Sequence, residues 1–174
     1  MTTSSTTADS AAVSSRRFWG NPVVGLIFRL TLVGVWGFAG VSKLIEPGGA
    51  RDAIIAYRIP GMTNDIANVL GYVLPAVEIL LAVLLLVGLF TRLAAIATAV
   101  LMAGFIIGIA SVWARGYSID CGCFGGGGDV SAEGKTWRYL SEILRDLLFV
   151  GMATWLAIWP RTLFSLDRHP EEVR

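Results

Sequence analysis

Residues 66–114 read IANVLGYVLPAVEILLAVLLLVGLFTRLAAIATAVLMAGFIIGIASVWA, and Glu78 and Arg92 are the only charged side chains in the stretch. A bilayer core is crossed by about 20 apolar residues of helix, because each backbone polar group must find its partner within the chain. Gly88-Leu89-Phe90-Thr91-Arg92 divides the stretch into two runs of that length, 66–89 and 91–114. The turn is short enough to force an antiparallel pair. Two further runs lie outward from this hairpin. Residues 22–44 open with Pro22, suited to a first helical turn, and stop before Pro47-Gly48-Gly49. Residues 136–159 are the least apolar. The pattern predicts an all-α, polytopic membrane protein, a bundle of four transmembrane helices at 22–44, 66–89, 91–114 and 136–159.

The composition agrees. Of 174 residues, 55% are hydrophobic and 16% charged, where a soluble chain carries about a quarter charged residues. The net charge of +1 offers no basic field to a nucleic acid, and that class of partner is excluded. Two cysteines and one histidine are poor stock for a four-ligand zinc site, so no metal site is assigned. The histidine, His169, falls in a charged tail and reads as a solvated surface residue. Residues 1–20, rich in serine and threonine, read as a disordered cytoplasmic tail, 21–160 as one transmembrane domain, and 161–174 as a polar C-terminal tail. Arg16-Arg17-Phe18-Trp19 is a positive, aromatic cap on the first helix.

Several residues within the runs carry structural expectations. Arg29 sits about two turns into the first helix, near enough to its cytoplasmic end to snorkel. Gly34, Gly37 and Gly40 at i, i+3, i+6, and Gly104 with Gly108, form small-residue stripes where another helix can approach. Pro75 cannot donate to the Gly71 carbonyl and predicts a kink. Residues 48–65 are too few to span; Arg51, Asp52, Tyr57 and Arg58 alternate with Ala53, Ile54, Ile55 and Ile59, which suits a short interfacial helix ended by Pro60-Gly61. Arg138 and Glu142, at i, i+4, form a candidate interfacial ion pair.

Four spans place both termini on one side. Arg16, Arg17, Arg92, Arg161, Arg168 and Arg174 then lie opposite Lys43, Arg51, Arg58, Arg115, Lys135 and Arg138, an even division that leaves the positive-inside rule silent. The paired arginines before the first helix favour cytoplasmic termini. Cysteine pairs serve as disulfides mainly outside the cytosol, which puts the loop after helix three on the extracytoplasmic side.

That loop is Asp120-Cys121-Gly122-Cys123-Phe124, followed by Gly125–Gly128 and Asp129, and it holds both cysteines of the chain. Two residues of chain span at most about 7 Å, and a disulfide needs its α-carbons about 4.4–6.8 Å apart. Closure is therefore open to the pair if the backbone folds back, which Gly122 permits, and the small ring would be a labile disulfide, not a staple. Unpaired interfacial cysteines, a soft-metal site such as Cu(I), and lipidation stand as alternatives. The glycine run predicts a loop free to offer a sulfur to a partner. Arg115 and Lys135 flank it and favour a thiolate; Asp120 and Asp129 oppose one.

In the membrane interior, Glu78 with Lys43 or Arg145, and Asp146, are candidates for a polar cluster that binds a quinone head group or moves protons, or that fixes helix register by ion pairing. Trp36, Phe38, Trp113 and Phe124 are candidates to line a quinone site, against an ordinary packing role. One cysteine pair cannot relay thiols across a membrane, so electrons must leave to a quinone, an oxidant or another protein.

Taken together, Gly40-Val41-Ser42-Lys43-Leu44, Pro75 with Glu78, Cys121-Gly122-Cys123-Phe124-Gly125 and Arg145-Asp146 resemble the MauE/DoxX family of small four-helix bacterial membrane proteins, over about residues 22–159. The Cys-Gly-Cys-Phe-Gly loop resembles the MauE branch. The resemblance implies a redox-associated protein of the bacterial inner membrane that cooperates with an extracytoplasmic thioredoxin-fold protein, with Cys121 and Cys123 as the exchanging pair and thiol–disulfide oxidoreductase as the enzyme class. The rival expectation is a non-catalytic scaffold that recruits or stabilises a redox partner or a larger membrane complex. A Ser/Thr-rich leader such as residues 1–15 is outside the family pattern.

Overall fold

The computed structural model describes residues 21–124, 126–160, 162, 163, 165 and 166. The expected tail at 1–20 and all of 167–174, His169 included, lie outside the described residues. Four helices of 24 residues dominate: α1 (Pro22–Ile45), α3 (Asn64–Val87), α4 (Thr91–Ala114) and α5 (Lys135–Ile158), with the ten-residue α2 (Pro47–Ala56) between α1 and α3. Two-residue strands β1 (Ile119–Asp120) and β2 (Gly128–Asp129) add a small antiparallel ladder to an otherwise helical chain.

Local chemistry sets the ends. The Asn21 side chain accepts from the Val23 amide at 3.0 Å and Pro22 opens α1; Thr63 caps α3 by accepting from the Ile66 amide at 3.3 Å. Gly88 closes α3 in the left-handed region at φ +68. Helix α3 runs unbroken through Pro75. The interfacial helix ends at Ala56, before the expected stop at Pro60-Gly61, because Arg58 takes a positive φ of +48.

Helices α1, α3 and α4 are each long and apolar enough to cross a membrane. Helix α5 has the length, but Lys135, Arg138, Glu142, Arg145 and Asp146 crowd its first half. Large apolar side chains such as Ile27, Val69, Val100, Ile107 and Leu148 face outward around the bundle, as they do when the surrounding solvent is lipid. The protein is a mostly helical, multi-pass membrane protein.

Helix α1 packs chiefly on α3, and α4 on α5. A Cβ on Gly40 would come within 2.8 Å of Ile79, so this glycine is a true close approach, while Gly34, Gly37 and Gly104 have open space beside them. The predicted stripes therefore reduce to Gly40 and to Gly108, whose Cβ would lie 3.0 Å from the Tyr57 ring.

Lys43, two residues from the end of α1, pairs with Glu78, fourteen residues inside α3. The first turns of α3, to about Leu74, therefore rise ~15 Å beyond α1 at about 1.5 Å per residue. The notch above α1 is filled by α2 and by the β1–β2 hairpin that carries the cysteines. Two apolar clusters follow from this division. Leu32, Trp36, Leu81, Leu85, Met102 and Leu156 are among the residues of the larger one; Ala56, Ile109, Val112, Ile119 and Tyr139 form the other beneath the hairpin.

One expectation at the opposite end is corrected. Arg29 is buried instead of snorkelling, and its guanidinium donates to the Thr162 hydroxyl at 2.6 Å. Ser165 donates to the Gly88 carbonyl at 2.8 Å, so the start of the polar C-terminal tail is tied to the α3–α4 turn.

Candidate functional site

The hairpin is held by backbone needs that glycine alone meets. Gly122 (φ +66), Gly126 (φ +75), Gly127 (φ +142) and Gly128 (φ +107) all sit in the region L side chains avoid. A Cβ on Gly122 would collide with the Ala53 methyl, and one on Gly127 with the Gly49 carbonyl and Ala53. Gly49 in turn lies against the Gly126 carbonyl, 2.8 Å from where its own Cβ would be. Gly126 and Gly127 of the run lie against Gly49 and Ala53 of α2. Close packing is what Gly49, Gly122 and Gly127 provide.

The remaining ties are polar. The Asp120 carboxylate accepts from the Gly122 amide at 2.9 Å, the Tyr139 hydroxyl accepts from the Ile119 amide at 2.8 Å and donates to the Tyr117 carbonyl at 3.2 Å, and Arg58 bridges to Asp129 at 3.1 Å. Arg115 and Lys135, expected near the thiols, are spent on backbone. Arg115 donates to the Tyr57 and Arg58 carbonyls at 2.7 and 3.0 Å, and Lys135 to the Gly116 carbonyl at 3.2 Å. Arg138 donates to the Ser131 carbonyl at 3.1 Å, and the expected pair with Glu142 does not form.

Within this frame Cys121 and Cys123 are free thiols. The tight turn at Gly122 folds the Cys121 sulfur back so that it accepts from the Cys123 amide at 3.3 Å. The two differ in access: Cys121 is half-buried and Cys123 is 7% exposed. The hydrogen bond with the Cys121 side chain, then burial, push the Cys123 thiol far above the ordinary range. Tyr57 donates to the Cys121 carbonyl at 3.4 Å, and burial followed by the two cysteines raises its phenol as well, so it remains a protonated donor.

The polar residues expected in the membrane converge on this turn. Lys43 Nζ lies 2.5 Å from Glu78 Oε1 and 3.1 Å from the Cys123 carbonyl oxygen, and Lys43 and Glu78 are 2% and 0% exposed. Lys43, not Arg145, is thus the partner of Glu78. Arg145 makes two bonds to Asp146 Oδ1, at 3.0 and 3.1 Å, and its guanidinium stacks over the Phe124 ring at 4.5 Å. Glu78 Oε2 and Asp146 Oδ2 have no hydrogen-bond partner among the described residues. Each ion pair offsets the several kcal/mol that an isolated buried charge costs.

The four aromatic candidates do not form one wall. Phe38 and Phe124 meet, with ring centroids 5.8 Å apart, which brings Phe124 below the end of α1. Trp36 is buried and donates to the Thr98 hydroxyl at 3.0 Å; Trp113 packs on Tyr139 in the cluster under the hairpin. Sequence reasoning passed over Tyr57, Ala53 and Gly49. Their one signal was the alternation of residues 48–59, which marked a helix lying across the bundle without saying what it would carry.

A thiol pair in a hairpin packed on the bundle, beside one buried ion pair and one half-buried, defines the class: a polytopic membrane protein with a dithiol loop set into the head of its helix bundle. Comparison with known families gives the particular one. The description "Methylamine utilisation protein MauE" matches residues 21–159. The chain belongs to the MauE family. No curated protein and no solved structure matches it.

Proposed function

We propose that this protein is the membrane component of an extracytoplasmic thiol–disulfide redox system. Cys121 and Cys123 exchange disulfides with a thioredoxin-fold protein, and the four long helices cross the bacterial inner membrane with both termini in the cytoplasm and the hairpin outside. Methylamine utilisation, the process in the family's description, is the process the exchange is proposed to serve. The observation that carries the proposal is the folded-back turn, with the Cys121 sulfur 3.3 Å from the Cys123 amide.

The difference in access orders the chemistry. The Cys121 thiolate attacks one sulfur of the partner's disulfide; a mixed disulfide forms and the partner's other sulfur leaves as a thiolate. The Cys123 sulfur then attacks Cys121, the intramolecular disulfide closes, and the second partner thiolate leaves. The protons of the two thiols end on the two partner sulfurs. The reverse sequence uses the same atoms.

A Cys123→Ser chain cannot close the ring and is expected to accumulate a mixed disulfide between Cys121 and the partner in native membranes. A chain that forms no adduct, with both thiols reduced and inaccessible to an impermeant reagent, sinks the proposal. The burial of Cys123 favours one second reading, a scaffold whose cysteines only pack, and that outcome would support it.

A further inference from the structure

One face of α5 changes character along its length. Arg138, Glu142 and Arg145 recur at helical spacing, and Leu148, Met152 and Trp155 continue the same stripe. The polar part ends where Arg145 covers Phe124, beside Cys123. Directly below, Val24 and Phe28 of α1 and Leu147, Leu148, Gly151, Met152 and Trp155 of α5 line an almost wholly apolar cavity of about 480 Å³. That volume lies within the roughly 300–1,000 Å³ of small-molecule sites. Leu147 and Leu148 are exposed, so the groove opens to the lipid-facing side.

We propose that the α1–α5 groove binds a membrane quinone, with its ring at Phe124 and Arg145 and its isoprenoid tail in the cavity below. This rests on the thiol-exchange function proposed above. An acyl chain matches the apolar half alone. A quinone matches both halves: a flat ring for the Phe38–Phe124 pair, and carbonyl oxygens for Arg145, whose bonds to Asp146 use two of its five N–H donors. Chemistry adds the need. When the exchange runs in reverse and the partner's thiols reduce the pair, the resulting dithiol has no second pair in the chain to which its electrons can pass, since the chain has two cysteines. Two S–H bonds break, the Cys121–Cys123 bond forms, and the two electrons and two protons convert the quinone to its quinol.

The experiment uses the full chain in phospholipid nanodiscs, reduced and desalted, under anaerobic conditions. Decyl-ubiquinone and the tail-less, fully substituted duroquinone serve as oxidants, and thiol loss and quinol absorbance are followed together. Both are expected to yield one quinol per disulfide. Gly151→Leu puts an apolar side chain on the cavity wall at a position where a Cβ meets nothing within 4 Å. It is expected to raise KM for decyl-ubiquinone at least tenfold and to raise that for duroquinone far less. Arg145→Gln is expected to slow both oxidants. A pair that cycles with dithiothreitol and diamide but ignores both quinones overturns the quinone site and spares thiol exchange, leaving phospholipid as the groove's occupant. Equal effects of Gly151→Leu on both oxidants also overturn it. If no oxidant closes the disulfide, both proposals fall.

Discussion

The Lys43 ammonium bridges Glu78 Oε1, at 2.5 Å, and the carbonyl oxygen of Cys123, at 3.1 Å. One buried cation therefore joins the middle of α3 to the backbone of the cysteine turn. Any change at the ion pair is felt at the thiols through a single side chain.

Lys43→Met leaves Glu78 buried without its cation and is expected to cost about 3–5 kcal/mol. Adding Glu78→Leu should recover most of that loss. Thermal unfolding of the three variants in one detergent closes the double-mutant cycle; a double variant as unstable as the sum of the singles would deny the coupling.

Gly127→Ala places a Cβ against the Gly49 carbonyl and Ala53 and demands a positive φ of alanine. It is expected to destabilise by more than about 1 kcal/mol and to speed maleimide labelling of Cys123. Gly104→Ala, in open helical space, is the control and should be neutral or mildly stabilising. Unchanged labelling in the Gly127 variant would mean that packing on α2 does not shield the thiol.

Tyr139→Phe removes the acceptor of the buried Ile119 amide. An unsatisfied buried donor costs about 1–3 kcal/mol, and the loss should localise to the hairpin. Hydrogen exchange at Ile119 and at Val130, whose amide donates to the Ser118 carbonyl at 2.9 Å, is the direct readout: both amides should exchange faster while α4 keeps its protection.

Cys123 supplies the pH dependence. Its folded thiol is raised above the unfolded value, so the fold holds a proton that the unfolded chain releases. Its contribution is therefore fully present below the ordinary thiol range and is lost as pH rises through that range towards the folded value. In the reduced protein, alkylation at Cys123 should lag behind Cys121 and accelerate only in alkali, with the lag abolished in denaturant. Peptide-resolved mass spectrometry separates the two sites.

The sequence by itself determined the helical membrane class. Length, apolar periodicity and turn chemistry are local, and the bounds at 22–44, 66–89, 91–114 and 136–159 fall within two residues of the helices observed. It also singled out the cysteines and the membrane-buried charges, because a charge in lipid needs a partner wherever the fold supplies it. What only the tertiary structure decided was which partner and which depth. Lys43 takes Glu78 across the α1–α3 contact, which leaves Arg145 to its sequence neighbour Asp146, and the hairpin occupies the space above the end of α1. Gly122 and Gly127 of the hairpin looked like slack in the chain; against Gly49 and Ala53 there is no room at either for a Cβ. Such contacts join segments some seventy positions apart, and no local pattern encodes the distance between them.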